Sequence, residues 1–185
     1  DFGVHHDGCI VDSAYTWTNT PKYDPLLNAS KEAVATIIKN IGVGTSISDI
    51  GEWSEEIISS YEIELGGKTI PIKPIDNLCG HNILPWTIHA GKLLHATRKE
   101  NDNQIVEEND VIAVEIFVST GNGTTILDNN RNNHSHFILK DNSDKIPLYQ
   151  TKRTNDMVNI IKQNSRTLPF CPRFINDFNK KQNNI

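Results

Sequence analysis

Asp1-Phe2-Gly3-Val4-His5-His6-Asp7-Gly8-Cys9-Ile10-Val11-Asp12 opens the chain, and its central dipeptide decides how the rest is read. Asp7-Gly8 is a strong two-residue hairpin signal, because a type I′ turn needs positive φ at both central positions. With those residues at the turn, His6 faces Cys9, His5 faces Ile10 and Gly3 faces Asp12. Side chains alternate along a strand, so Asp1, Gly3 and Asp12 share one face. The two carboxylates become diagonal cross-strand neighbours, roughly 7–8 Å apart at Cα. Gly3 has no side chain to fill the gap between them. Carboxylates that close repel one another unless a cation or a shared proton joins them. The spacing makes a pocket that favours a metal.

Bulk properties bound what surrounds this pocket. The 185 residues suit one domain, or a large domain cut short. The net charge of −5 offers no signal for nucleic acid or an anionic membrane. No apolar run approaches the ~20 residues of a membrane span, and no charged n-region precedes an apolar h-region. The three cysteines, Cys9, Cys79 and Cys171, are widely spaced and form no C-x-x-C pair. They read as reduced thiols of a cytoplasmic protein. Matches to the glycosylation pattern at Asn28, Asn122 and Asn133 are those expected by chance in an Asn-rich chain. Asp1, a candidate ligand, stands first, so the chain is expected to be a piece of something longer.

Elements alternate without repeats. Asp24-Pro25 reads as an N-cap with proline at the first helical position. Leu27, Val34, Ile37, Ile38 and Ile41 then recur at helical spacing, up to a stop at Gly42. A second helix is expected from Ser46 or Ser48, with Ile50, Trp53, Ile57 and Tyr61 on one face. Tyr61 to Leu65, Gly66-Gly67 and Lys68 to Lys73 read as a second hairpin. Val111 to Val118 reads as one buried strand. Residues 128–144 are polar and loop-like, Thr154 is expected to cap a short helix carrying Met157, Val158 and Ile161, and the tail after Phe178 is expected to fray. The class is α+β.

Three further places carry chemistry. His81 and His89 are too far apart for one helical face and converge only from neighbouring extended segments around Leu84-Pro85-Trp86. Glu115 is a lone carboxylate inside an apolar run, where burial demands a cation, a hydrogen-bond cluster or a metal. His134 and His136 lie in a polar stretch. Taken singly, each also fits a plain structural role: an ordinary surface hairpin, hydrogen-bonded histidines, a Glu paired with a buried base, solvated loop residues. Together, the order Asp, Asp, His, Glu suits a pair of hard-to-borderline divalent ions.

These residues resemble a known family. Asp1-Phe2-Gly3 through Asp12, Gly80-His81, Ile88-His89-Ala90-Gly91 and Glu115 with Ser119-Thr120-Gly121 look like type 2 methionine aminopeptidases, of the pita-bread metallopeptidase group. Asn19 to Leu27 and the stretch from Tyr61-Glu62 to Gly67-Lys68-Thr69 are also similar to that class. The resemblance implies a partial pita-bread (creatinase/aminopeptidase) fold over 1–185, lacking its N-terminal part and its C-terminal strands, with 128–178 as the helical insertion of type 2. It implies Asp1, Asp12, His81 and Glu115 as ligands of two divalent ions (Mn, Co, Fe or Zn), with Asp12 bridging. His89 would contact the scissile peptide group, and His136, Ile88 and Phe117 would line the substrate pocket. The activity implied is metal-assisted removal of the initiator methionine, with nascent polypeptide N-termini and the ribosome as partners and no membrane.

The chain departs from that pattern in places. Cys79 stands where asparagine is usual, Asn82 to Trp86 replaces a Ser-Ile-Gly-like stretch, and Val118 stands where glycine is common. A histidine upstream of Asp1 and a bridging glutamate near the end of the fold have no counterpart, so the chain alone is expected to be inactive. The competing readings are a non-catalytic pita-bread relative that binds protein or RNA, and an X-Pro dipeptidase.

Overall fold

The computed structural model describes residues 1–128, 130, 134–140, 151–173 and 175. They fall into two compact units, Asp1–Ile126 and Leu127–Ile185. The tail after Phe178 and much of 128–144 lie outside the described residues.

The first unit opens with the expected hairpin. Strands β1 (Phe2–His6) and β2 (Cys9–Ser13) pair antiparallel, with Gly3 opposite Asp12, His5 opposite Ile10 and His6 opposite Cys9. Asp7 and Gly8 both have positive φ, at 48° and 89°, as a type I′ turn requires. A 3-10 turn over Pro21–Tyr23 then leads into helix α1 (Asp24–Asn40). Here the expected cap is corrected. Tyr23 holds the N-cap position and Asp24 is already helical, because the preceding turn has coiled the chain early. Asp24 still favours the helix by sitting at the positive end of its dipole. Helix α2 (Ile47–Ser59) follows from Ser46 at its N-cap. Tyr61 lies beyond it, although its ring packs on the same core. Strands β3 (Glu62–Leu65) and β4 (Lys68–Pro71) make the second hairpin across Gly66-Gly67.

Two apolar clusters fill this unit. Ala29, Ala33, Ile58, Ile63 and Ile72 form one, and Ile37, Ile47, Ile50, Leu94 and Val106 the other. Ile116 packs against both. The sheet beside the second cluster has the order β7-β6-β8, with β6 at Cys79–Ile83, β7 at Leu93–His95 and β8 at Val111–Ala113.

The single strand expected over Val111 to Val118 is broken. β8 stops at Ala113 after pairing with β6, and a separate β9 (Val118–Ser119) pairs with β5 (Lys73–Pro74). The intervening residues cross from one sheet to the other, so apolar continuity here marks a core-spanning bend. Gly80 permits that bend: a Cβ there would lie 2.4 Å from Ala113 O and 2.9 Å from Glu115 N.

In the second unit, α3 (Lys152–Asn164) takes its cap from Thr151, whose side chain accepts from the Thr154 N–H. Thr154 is therefore inside the helix and not its cap. Ile161 is buried, and Phe137 bridges to Phe170.

Candidate metal centre

β6 and the bend after β8 bring His81 and Glu115 together, and the β1–β2 hairpin adds Asp12. His81 Nε2 lies 3.1 Å from Glu115 Oε1 and 3.4 Å from Asp12 Oδ2. One ligand atom from each of the three falls within 4.8 Å of the others. The His81 side chain is 6% exposed, and the carboxylates are 17% and 25% exposed. The site is thus sheltered and open on one side. Its strands come from distant parts of the sequence, and only Asp12 arrives on a local hairpin.

The electrostatics fit a cation. Burial pushes the Glu115 carboxyl above its ordinary value, the nearby Asp12 charge pushes it further, and His81 only partly opposes this. Two carboxylates crowding one imidazole favour a positive charge between them. The donor set of one nitrogen and carboxylate oxygens suits hard-to-borderline divalent metals. Cys79 is adjacent, but burial and then Glu115 raise its thiol above the ordinary value. It remains a protonated thiol at neutral pH and is not part of the ligand cluster.

The remaining sequence candidates are placed as follows. His89 meets His81 edge-on, with ring centroids 4.3 Å apart, so the two histidines converge across the turn around Leu84-Pro85-Trp86 as expected. Partial burial lowers the His89 pKa, the His81 neighbour lowers it further, and Asp12 opposes. Asp1 is exposed and outside the three-residue cluster. The register puts it on the Asp12 face, and Gly3 leaves the space between open, since a Cβ there would meet only Val11 O at 3.8 Å. Ile88 and Phe117 are half-buried. His136 lies in the second unit, exposed, with Nδ1 2.7 Å from Ser135 Oγ. His134 is exposed as well, its Nε2 3.1 Å from Asp128 O.

Residues without an assigned role in the sequence hold this geometry. Buried Asn82 binds the His89 loop three times. Its N–H donates to Lys92 O, its C=O accepts from Ala90 N, and its Oδ1 accepts from Lys92 N at 2.9 Å. Nothing in residue type alone signals such a clamp.

A sheltered Asp-His-Glu cluster set in a mixed α+β frame defines a candidate metallohydrolase. Residues 1–158 match metallopeptidase family M24, and the chain belongs to that family. It is 42% identical over 175 residues to methionine aminopeptidase 2 of Kluyveromyces lactis, covering 95% of this chain and 40% of the relative. Methionine aminopeptidase 2 of Podospora anserina is also 42% identical over 175 residues, covering 95% of this chain and 38% of that protein. The chain thus spans about 40% of the length of these curated relatives. Among solved structures, one described as a thermophilic Arx1 aligns with a TM-score of 0.62 at 14% identity, over 90% of this chain and 49% of that one. Methionine aminopeptidase from Rickettsia prowazekii aligns with a TM-score of 0.50 at 18% identity, over 60% and 41%. These structural likenesses are of fold, and the fold is a partial pita-bread. Among the described residues no helix is long and apolar enough to cross a membrane.

Proposed function

We propose that the whole protein is a methionine aminopeptidase that removes the initiator methionine from nascent polypeptides as they leave the ribosome. One observation carries this reading: Asp12, His81 and Glu115 converge around one point, with His89 edge-on beside them, in a chain whose similar relatives are named methionine aminopeptidase 2. Those names favour this reading over an X-Pro dipeptidase or a non-catalytic binding relative.

Asp12, His81 and Glu115 hold the divalent metal, and Asp1 joins them for a second ion, with Mn, Co, Fe or Zn as the candidates. When bound, the ions polarise the scissile carbonyl and lower the pKa of the attacking water. His89, whose pKa is lowered by partial burial and by His81, would hydrogen-bond the scissile peptide group through a ring nitrogen. It would take the proton that the attacking water gives up and pass it to the departing amine, returning to its neutral form. Ile88 and Phe117 give the methionine side chain an apolar wall and keep water from it. The role of His136 rests on the resemblance alone, as does the assignment of residues 128–178 to the type 2 insertion.

The test is Met release from a Met-Ala-Ser peptide by the whole protein supplied with Mn²⁺ or Co²⁺. Release that falls by more than about 100-fold on Asp12→Ala or Glu115→Ala, and on chelation, supports the reading. A folded, metal-supplied protein that releases nothing overturns it.

A further inference from the structure

The turn Leu84-Pro85-Trp86-Thr87 has no part in the chemistry above, yet its backbone is under strain. Trp86 has φ 62°, a left-handed conformation that costs a bulky residue on the order of 1–3 kcal/mol. With Pro85 before it and the Thr87 N–H donating to Leu84 O at 2.9 Å, glycine is the usual residue for such a place. Strain of this kind persists only where surrounding contacts hold it.

Those contacts are with the aspartate hairpin. The Trp86 N–H donates to Gly8 O at 3.0 Å. The indole lies 4.8 Å from the His5 ring, tilted by 58°. It covers Gly8 so closely that a Cβ there would stand 2.2 Å from Nε1. Gly8 is the only buried residue between Phe2 and Ser13, and the strands on either side of it are exposed or half-buried. The hairpin is therefore gripped at its tip. Asp12 lies four residues further along β2, a lever of roughly 13 Å at ~3.4 Å per residue.

We propose that Trp86 is a positioning residue for the metal centre, latching the hairpin tip to the turn after β6 and so setting the distance of Asp12 from His81 and Glu115. This rests on the reading of those three residues as ligands.

The experiment compares Trp86→Gly and Trp86→Phe in the whole protein. Two quantities are read: Mn²⁺ affinity by calorimetry, and hydrogen exchange of the hairpin amides in the metal-free protein. Glycine removes both the ring and the strain, so the urea midpoint should stay at or above that of the parent. Mn²⁺ binding should nonetheless weaken about tenfold, and hairpin exchange should quicken about tenfold. Phenylalanine keeps a ring and should restore most of both. Unchanged affinity and exchange in Trp86→Gly overturn the latch, as do equal losses in the two variants. If Trp86→Gly does not fold, His5→Ala removes the ring contact from the other side. Smaller losses in the same direction then support the latch, and none overturns it. If the parent binds no Mn²⁺, the ligand reading fails by itself, and metal-free exchange alone decides the latch.

Discussion

Asp12 reaches the candidate metal centre on a hairpin whose strands are largely exposed, whereas His81 and Glu115 reach it from a sheet, and from the bend that leaves it, backed by an isoleucine-rich core. The hairpin is a local object. Its turn chemistry fixes its register, and at its tip Gly8 O accepts from the Trp86 N–H. The sheet is a non-local one, joining residues near 80, 94 and 112, and its shape depends on what lies beneath it. One site thus combines a part set by two residues with a part set by the whole core.

The largest expected effect comes from breaking the core-held half. Ile50 is fully buried beside Leu94 and Val106. Ile50→Ala should lower stability by about 2–5 kcal/mol through lost burial and a residual cavity, read as a fall in the urea midpoint. A loss below about 1 kcal/mol would mean that the cluster does not hold the sheet. The next effect sets two glycines against each other. Gly80→Ala drives a Cβ into Ala113 O and Glu115 N, so about 1–3 kcal/mol of overpacking is expected. It should also weaken Mn²⁺ binding as Glu115 shifts. Gly3→Ala meets only Val11 O at 3.8 Å and should change stability by no more than about 0.5 kcal/mol. Equal losses at the two positions would erase the distinction between a packed and an open half.

That distinction also explains what the sequence made legible. Asp7-Gly8 specified the hairpin and its register, because two residues contain the whole turn. Gly66-Gly67 did the same for the second hairpin. Val111 to Val118 misled, because period and apolarity cannot say that β8 pairs with β6 while β9 pairs with β5. The caps at Asp24 and Thr154 were misplaced by one and three residues: a 3-10 turn through Tyr23 coils the chain before Asp24, and the side chain of extended Thr151 accepts from the Thr154 N–H and so takes the cap. Of the candidate cluster, Asp12 was marked by the hairpin register, Glu115 by a carboxylate inside an apolar run, and His81 with His89 by their convergence around Leu84-Pro85-Trp86. Asn82 and Trp86 were not, because their roles lie in backbone partners and in a positive φ that no residue type announces.

The smallest effect is electrostatic, and it too divides the halves. On the hairpin, His6 and Asp7 are paired at 3.8 Å and almost wholly exposed, so Asp7→Asn should leave stability unchanged at any pH. Beside the sheet, Lys92 Nζ lies 2.6 Å from Asp110 Oδ2 and 2.5 Å from Glu107 Oε2, with Lys92 and Asp110 both mostly buried. Burial alone would raise the Asp110 carboxyl. Hydrogen bonds from Lys92, the Glu107 N–H and Asn82 outweigh it and hold the group below its ordinary value. Bonds to Asp110 and Glu107 raise the Lys92 ammonium. A depressed acid contributes stability above its unfolded value, about 3.9, and loses it as pH falls through the folded value. A raised base contributes below its unfolded value, about 10.4, and loses it as pH rises through the folded one. The parent should therefore be more stable than Asp110→Asn across the neutral range. That margin should close on acidification below about pH 4 and again above about pH 10. Urea midpoints taken across that range read it directly, and a pH-independent margin would show that the pair around Lys92 is packing and not charge.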